Sequence, residues 1–492
     1  MSTAAPEATQ TIANVIAGEE RPAESGETFD KLAPAKGEVI SRAARSRAED
    51  VDAAVTAAEA AQPAWGAETV AERGRVLREI AKLLERDREE VARIVALETG
   101  KAPKEALGEV GGAAEQGYFM AGEGRRFYGR TTTSAIPNRQ AMTIRQPLGV
   151  AGLIIAANTP IANVAWKVFP ALICGNAAVL KASEDAPQTA VAFARLAAEA
   201  GLPPGVLNVV HGFGPEAGQP LVEDPRVAVI SFTGSTAVGR MINRIGADRL
   251  VKVCLELGGK NPLIVCDDAD LDKAAEAAAL SAFSNAGQRC ASGSRIVVFD
   301  AVYDAFMERL LARASEQRVG PGDEHDFGPV INERQLESML AVVGRAREQG
   351  ARVLTGGERL SGPEHAGGFF MSPTLIEGVE LEGEAAQNEL FGPISTVHRA
   401  RDFEDAMAAA NNTPYGLTAA IWTASVHRGQ EFLRRVHSGV AAVNGATYGS
   451  EPHMPFGGQG DSGTGWREPG TEALDVYSDW KTVYVNHDPA AV

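Results

Sequence analysis

Short apolar runs alternate with amphipathic stretches along residues 149–257. The runs GVAGLIIAAN, AAVLKAS, VLNVVHG and VAVISFTGS have the continuous hydrophobicity typical of strands that are buried on both faces. Between them lie PQTAVAFARLAAEAG, EAGQPLVED and TAVGRMINRIG, which have the apolar spacing of helices. Strands that alternate with helices predict a parallel, doubly wound α/β sheet.

The flanking segments add further elements. Residues 49–99 keep apolar positions at helical spacing, and Asp50 is a candidate cap for the first helix. The alternation of strand and helix returns over 258–460, which predicts a second α/β domain. Residues 128–146 are instead rich in Thr and Arg around a Pro-Asn turn, which predicts a β-hairpin. The C-terminal stretch VYSDWKTVYVNH alternates like an edge strand and is expected to pair with that hairpin.

Composition narrows the class of protein. The chain has 492 residues, and Lys+Arg minus Asp+Glu is 47 − 64 = −17, which disfavours nucleic acid and anionic membranes as partners. Four cysteines are too few for a disulfide scaffold, and residues 1–14 lack the pattern of a targeting signal. The longest apolar run, residues 150–157, is too short to span a bilayer. We expect a soluble protein in the cytoplasm.

Two loops that follow predicted strands are candidate phosphate and ribose sites. In FTGSTAVG (232–239), Gly234 and Ser235 lie where a helix begins, so that backbone N–H groups and a hydroxyl can meet a pyrophosphate. The alternative is an ordinary capped turn. In KASE (181–184), Lys181 and Glu184 can hydrogen-bond a ribose diol, and the acid would repel a 2′-phosphate. The alternative there is a solvated pair that caps the next helix.

A cysteine and a glutamate are candidates for a nucleophile and its base. Cys290 lies in NAGQRCASG, where small neighbours leave the sulfur approachable and Arg289 could favour the thiolate. Glu256 lies in LELGGK, where apolar neighbours would raise the pKa of its carboxyl toward that of a general base. The alternatives are a buried structural cysteine and a Glu256–Lys260 ion pair. No metal site is expected, since the eight histidines are scattered and neither CxxC nor HExxH occurs.

Taken together and in order, these segments resemble the NAD(P)-dependent aldehyde dehydrogenase superfamily. The resemblance runs over nearly the whole chain. Its motifs are ETGK (98–101), ANTP (157–160), KASE (181–184), FTGS (232–235), LELGGK (255–260), GQRC (287–290), ELFGP (389–393), Asn444 and PFGG (455–458). Each motif is weak alone, but nine in the family's order make chance an implausible explanation.

The resemblance implies a covalent mechanism that oxidises an aldehyde to a carboxylic acid. Cys290 would attack the aldehyde carbon, and Asn158 with the backbone N–H of Cys290 would form the oxyanion hole. Glu256 would activate the water that hydrolyses the thioester, which favours release of an acid over transfer to coenzyme A. A cysteine esterase that uses the same acyl-enzyme and a non-catalytic binding protein are the two other classes considered.

The resemblance also implies the cofactor site and the architecture. Lys181 and Glu184 would hold the adenosine ribose, Gly234 and Ser235 the pyrophosphate, and Glu389 the nicotinamide ribose with Phe391 near the ring. Glu184 favours NAD over NADP. The expected fold is a Rossmann-type dinucleotide-binding domain (1–127 and 147–257), an α/β catalytic domain (258–460) and a bridging β-hairpin arm (128–146 and 474–492). That arm implies a homodimer or a homotetramer.

The substrate tunnel departs from the family's pattern. The oxyanion asparagine often lies in Pro-Trp-Asn-Phe-Pro, whereas this chain has AANTP, so we expect a wider or more polar tunnel. An aromatic or medium-chain aldehyde is the first expectation for the substrate. The alternative is a semialdehyde whose distal carboxylate meets Arg289. The residues expected to line the tunnel are Asn163, Trp166, Arg289, Tyr448, Ser450 and Phe456.

Overall fold

The first large sheet forms from the apolar runs of the N-terminal half. In the computed structural model, which describes residues 10–491, it has seven strands in the order β12-β11-β8-β9-β10-β2-β3. The five from β12 to β10 are parallel, which confirms the predicted doubly wound sheet, and β2 and β3 add antiparallel strands at one edge. The strands are β2 (Asn14–Ile16), β3 (Glu19–Arg21), β8 (Val150–Ile154), β9 (Ala177–Lys181), β10 (Leu207–Val210), β11 (Val227–Thr233) and β12 (Lys252–Glu256).

Eight α-helices lie within residues 10–257. Helix α1 begins at Ala48 and not at the predicted cap, because Asp50 lies inside its first turn and accepts from the N–H of Arg47 at 3.0 Å. Asp50 therefore caps the helix from within. The helices are α1 (Ala48–Ala67), α2 (Val70–Arg86), α3 (Arg88–Thr99), α4 (Pro103–Glu123), α5 (Pro160–Ile173), α6 (Pro187–Glu199), α7 (Gln219–Glu223) and α8 (Thr236–Arg249).

The second large sheet also has seven strands, in the order β15-β16-β17-β14-β13-β19-β20. All neighbours are parallel except β15, which is antiparallel to β16. The strands are β13 (Asn261–Val265), β14 (Gly293–Phe299), β15 (Arg352–Thr355), β16 (Thr374–Glu377), β17 (Ile394–Ala400), β19 (Thr418–Trp422) and β20 (Val440–Val443). The helices around it are α9 (Leu271–Phe283), α10 (Tyr303–Glu316), α11 (Glu333–Glu348), α12 (Glu384–Gln387), α13 (Phe403–Asn411) and α14 (Val426–Arg435). Helix α15 (Ala473–Tyr477) packs instead into the core around α5 of the first part.

The predicted hairpin and C-terminal strand form one separate sheet in the order β22-β7-β6. Strand β22 (Ser478–Asn486) pairs antiparallel with β7 (Arg139–Pro147) along its whole length, and β6 (Thr131–Thr133) pairs with the other edge of β7. This confirms the predicted pairing. The small remaining strands are β1 (Gln10–Ile12), β4 (Thr28–Leu32), β5 (Val39–Ala44), β18 (Tyr415–Gly416) and β21 (Gln459–Gly460).

Most candidate site residues from the N-terminal half lie where strands of the first sheet end. Lys181 ends β9 and Glu256 ends β12, while Gly234 follows β11 and Asn158 follows β8. Because the carboxyl ends of parallel strands share one sheet edge, the topology brings these residues to one side of the sheet. The residue bounds of the three domains stay a prediction. Within residues 10–491, no helix has the length and hydrophobicity needed to cross a membrane.

Candidate active site

Cys290 lies where two cavities meet. A larger cavity of about 570 Å³ and a smaller one of about 330 Å³ share part of their walls. The shared residues are Asn158, Thr159, Trp166, Cys290 and Phe456. The predicted nucleophile and the predicted oxyanion donor are therefore accessible from both sides, which a reaction between two bound molecules requires.

The backbone before Cys290 is strained and firmly held. Asn285, Ala286 and Gly287 all have positive φ, at 54°, 53° and 65°. A Cβ at Gly287 would lie 2.0 Å from the Gly392 carbonyl oxygen, so no side chain fits there. The amide of Asn261 donates to the carbonyls of Cys290 and Ser292, at 2.8 Å each. Non-glycine residues in this conformation cost of order 1 kcal/mol each and persist only where the surroundings enforce them.

Arg289 contacts Glu105, Ser284 and Tyr448, and its charge acts on Cys290. Its Nη2 lies 3.4 Å from Glu105 Oε1, its Nε donates to Ser284 Oγ at 3.3 Å, and its guanidinium lies 4.9 Å from the Tyr448 ring centroid. Burial and the nearby Glu389 and Glu256 carboxylates raise the pKa of the Cys290 thiol to about 12, and Arg289 opposes this only weakly. The Arg289 charge lowers this pKa, as the sequence predicts, but it does not offset burial and the two carboxylates.

Glu256 is a buried carboxyl without a hydrogen-bond partner. Among residues 10–491, neither of its oxygens has one, and neither does the Lys260 ammonium. The alternative of a Glu256–Lys260 pair is therefore not what the structure shows. Burial, with repulsion from Glu468, raises the pKa of Glu256 well above its usual value. A carboxyl poised in this way in the wall of the smaller cavity suits a general base.

A buried charge network lies behind Glu256, and the sequence analysis missed it. Lys167 Nζ donates to Glu468 Oε2 at 2.8 Å and to Ser231 Oγ at 2.6 Å, and the Tyr477 hydroxyl donates to Glu468 Oε1 at 2.5 Å. Glu468 and Lys167 are 301 positions apart, so no local motif joins them. The lysine and the glutamate oppose each other in setting the Glu256 pKa.

The loop that carries Asn158 is held through a main-chain carbonyl. The carbonyl oxygen of Asn158 accepts from Lys101 Nζ at 2.7 Å and from Asn285 Nδ2 at 3.2 Å. The Asn158 residue lies in the walls of both cavities. This anchoring through the carbonyl leaves the backbone fixed at the junction where an oxyanion would form.

The smaller cavity contains most of the predicted cofactor residues. Gly234, Ser235, Glu389 and Phe391 lie in its wall together with Glu256. Ser235 is the N-cap of α8, whose N–H groups and dipole favour an anion there. Glu389 Oε1 accepts from the Gly259 N–H at 3.0 Å, and burial raises its pKa to about 7. A helix N-terminus and a hydrogen-bond acceptor in one wall fit the phosphate and ribose groups of a dinucleotide.

Lys181 and Glu184 lie outside both cavities and contact each other. Lys181 Nζ donates to Glu184 Oε2 at 3.1 Å. Burial raises the pKa of the Glu184 carboxyl, but the Lys181 ammonium, a backbone hydrogen bond and the Arg334 charge together outweigh burial, so the pKa lies below its usual value. Helix α6 is capped by another residue, Glu98, which accepts from the N–H groups of Gln188 and Thr189. The alternative of a pair that caps the next helix is therefore wrong.

The larger cavity contains five of the six predicted tunnel residues. They are Trp166, Arg289, Tyr448, Ser450 and Phe456. Asn163 lies instead in the wall of the smaller cavity, and its amide donates to the Thr159 carbonyl at 2.9 Å. Its place in the substrate tunnel stays a prediction. The width of the tunnel relative to that of the family stays a prediction.

Comparisons with known proteins identify the family of this chain. The model of the aldehyde dehydrogenase family matches residues 21–483. The chain is 40% identical to the alpha-ketoglutarate semialdehyde dehydrogenase of Haloferax volcanii and 38% identical to the alpha-ketoglutaric semialdehyde dehydrogenase of Bacillus subtilis. Each comparison covers 96% of this chain and 98% of the relative.

A solved structure agrees in fold. Betaine aldehyde dehydrogenase of Staphylococcus aureus, in complex with NAD+, is 31% identical, with a TM-score of 0.94 over 97% of this chain and 96% of that one. The chain therefore belongs to the aldehyde dehydrogenase family. It is an NAD(P)-dependent enzyme that oxidises an aldehyde and releases an acid.

Proposed function

We propose that Cys290 is the nucleophile of this aldehyde dehydrogenase. Its position at the junction of the two cavities is the observation that carries the proposal, since the sulfur can then meet an aldehyde from one side and a cofactor from the other. Once the Cys290 thiol has lost its proton to water, the thiolate adds to the aldehyde carbon, and the Asn158 amide with the Cys290 N–H stabilises the resulting oxyanion. After oxidation the acyl group remains on Cys290 as a thioester.

Residues of the first sheet and Glu389 would hold the cofactor. Ser235 and Gly234 at the start of α8 would bind the pyrophosphate, Glu389 the nicotinamide ribose, and Phe391 would be a neighbour of the nicotinamide. Lys181 and Glu184 would bind the adenosine ribose. NAD+, when bound, would supply the hydride acceptor. The NAD preference rests on the Glu184 carboxylate, which would lie against a 2′-phosphate.

Glu256 releases the product. Its unpartnered carboxylate takes a proton from water, and the hydroxide attacks the thioester to give the carboxylic acid and the free thiol. The raised pKa matches the task, because a stronger base removes the proton of water more readily. No coenzyme A step is needed.

The proposed substrate is a semialdehyde with a distal carboxylate, which was the alternative to an aromatic or medium-chain aldehyde. Of the two basic side chains in the wall of the larger cavity, Lys101 is bonded to Glu109, whereas Arg289 lies beside the Tyr448 ring with long polar contacts of 3.3 and 3.4 Å. A substrate carboxylate can displace such long contacts and pair with the guanidinium. The two semialdehyde dehydrogenases among its relatives support the same choice.

The substrate proposal predicts a selective effect of Arg289→Met. The efficiency kcat/KM for 2,5-dioxopentanoate is expected to fall about 30-fold, because a charged hydrogen bond contributes roughly 2 kcal/mol. The efficiency for pentanal, which has the same chain length and no carboxylate, is expected to change little. NADH formation with the two aldehydes and with benzaldehyde measures both.

The ratio of the two efficiencies is the deciding quantity, since it cancels any general effect on the adjacent Cys290. An unchanged ratio would remove Arg289 from substrate recognition. A parent enzyme that prefers pentanal or benzaldehyde would return the substrate to the aromatic or medium-chain class.

A second prediction concerns the choice of cofactor. Glu184→Ser removes the carboxylate beside Lys181 and is expected to narrow the preference for NAD over NADP by about tenfold, the effect of roughly 1.4 kcal/mol of lost repulsion. Initial rates with each cofactor at a fixed aldehyde concentration measure the ratio. Equal relative efficiencies in parent and variant would show that another residue sets the preference.

The protein is proposed to be an oligomer of the cytoplasm. The exposed edge of the β22-β7-β6 sheet supports a homodimer, or a homotetramer built from dimers, with the domain bounds given above. The four unpaired cysteines fit a reducing compartment, and hence the cytoplasm. Sedimentation of the purified protein would give its oligomeric state.

A further inference from the structure

Helix α4 lies along the larger cavity with Glu109 facing the Asn158 loop. Glu109 and Lys101 are both part of the cavity wall, yet their side chains are almost fully buried, at 5% and 3% exposed. Neither residue belongs to the proposed nucleophile, base or cofactor site. An ion pair removed from water needs further bonds to offset its desolvation, so its other contacts matter.

Those contacts go to the segment that carries Asn158. Lys101 Nζ is bonded to Glu109 Oε2 and donates to the Asn158 carbonyl oxygen at 2.7 Å. Glu109 Oε1 accepts from the N–H of Ile161 at 2.9 Å and from that of Ala162 at 3.3 Å, in the first turn of α5. The pair therefore forms hydrogen bonds with the chain on both sides of Thr159 and Pro160, which directly follow the proposed oxyanion donor.

The same carbonyl connects this segment to the turn before Cys290. Asn285 Nδ2 donates to the Asn158 carbonyl at 3.2 Å, and Asn285 is one of the residues with positive φ in that turn. The N–H of Asn285 in turn donates to Glu105 Oε1 at 2.8 Å, one helical turn before Glu109 on α4. Side chains of one helix, α4, therefore hold both the segment of the oxyanion donor and the loop of the nucleophile.

We propose that Lys101 and Glu109 are positioning residues that fix the Asn158 amide relative to Cys290. The inference rests on the proposed roles of Asn158 and Cys290. An oxyanion donor acts only when it is already in place as the charge develops, and small displacements cost much of its effect. The pair acts through the Asn158 backbone, and it is not proposed to touch the aldehyde.

The test compares Glu109→Gln with Glu123→Gln. Glu123 is a second buried carboxylate of α4, paired with Arg126 and outside both cavities, so it matches the change in charge and helix. Glu109→Gln is expected to slow acylation by p-nitrophenyl acetate without cofactor about tenfold, and to slow the first turnover of NADH to the same degree with the aldehyde KM unchanged. Glu123→Gln is expected to stay within twofold of the parent in both assays.

Alkylation of Cys290 by iodoacetamide separates positioning from general damage. Alkylation forms no oxyanion, so its rate in Glu109→Gln is expected to stay within twofold of the parent. Alkylation that slows as much as acylation would overturn the proposal, because the nucleophile itself would then be disturbed. Should Glu109→Gln not fold, Lys101→Met keeps the cap on α5 and removes the donor to Asn158, and the same slowing of acylation alone is expected.

Asn158→Ala distinguishes failure of this inference from failure of the proposed function. It is expected to slow acylation about 100-fold. If it does so while Glu109→Gln and Lys101→Met match the parent, the positioning role is wrong and the oxyanion role stands. If Asn158→Ala matches the parent, the oxyanion role fails and the positioning role with it.

Discussion

Cys290→Ala is expected to abolish NADH formation, with a loss of about 10⁴-fold or more. The reaction needs a nucleophile that adds reversibly to a carbonyl and leaves a reactive acyl derivative, and a thiolate does both. Cys290 is the only cysteine in the walls of the two cavities formed by residues 10–491. Alanine removes the sulfur with little change in volume, so NAD+ binding measured by calorimetry is expected to persist.

Cys174→Ala is the matched control. That thiol is fully buried in the core around α5, and burial raises its pKa to about 12. The control removes an equally protonated thiol away from both cavities, and activity is expected to stay within about twofold. If Cys290→Ala kept more than a few per cent of parent turnover, another residue would be the nucleophile.

The second large effect is expected from Glu256→Gln. Glutamine cannot take a proton from water, so the thioester forms and then persists. We expect one equivalent of NADH per active site at close to the parent rate, followed by a steady state about 10³-fold slower. Mass spectrometry of the quenched protein should find the acyl group on Cys290. A burst and a steady state that both match the parent would place the base elsewhere.

The pH dependence gives an independent check on Glu256. Its carboxyl must be ionised to act, and its pKa is raised well above the usual value by burial and Glu468, so the parent steady state rises as pH increases through that raised pKa. The rise should be absent in Glu256→Gln.

The free energy of unfolding depends on pH in the opposite direction to the rate. Above the unfolded pKa, near 4.5, the unfolded chain loses a proton that the folded protein retains, so this group lowers stability as pH rises. Glu256→Gln should therefore raise the thermal midpoint, increasingly so toward neutral pH.

Sequence alone could predict the features that depend on the pattern of neighbouring residues along the chain. Buried strands recur with helices between them from residue 149 onward, and the Thr-rich hairpin interrupts that alternation, so the parallel sheet and the separate three-stranded sheet were both predictable. Cys290 stood out because a polar, glycine-rich surrounding is unusual for a core thiol. Cys174, by contrast, lies in an apolar stretch and is fully buried.

Side-chain direction was not predictable in the same way. Arg289 is adjacent to Cys290, yet it contacts Glu105 and Tyr448, and its charge does not offset the burial that raises the pKa of the thiol. Glu256 and Lys260 are near in sequence but do not pair. Adjacency along the chain says little about contact once a strand ends and the backbone changes direction.

The sequence by itself predicted the parallel sheets from periodicity, and the candidate nucleophile and base from residue types in short segments. The class of protein and the candidate oxyanion donor followed from the resemblance of its motifs to a known family. Only the tertiary structure decided that Cys290 lies between two cavities, that Glu468 and Lys167 set the environment of Glu256, and that Lys101 and Glu109 hold the Asn158 loop. The physical reason is that buried charges act over a few ångströms, through partners that the fold recruits from distant parts of the chain.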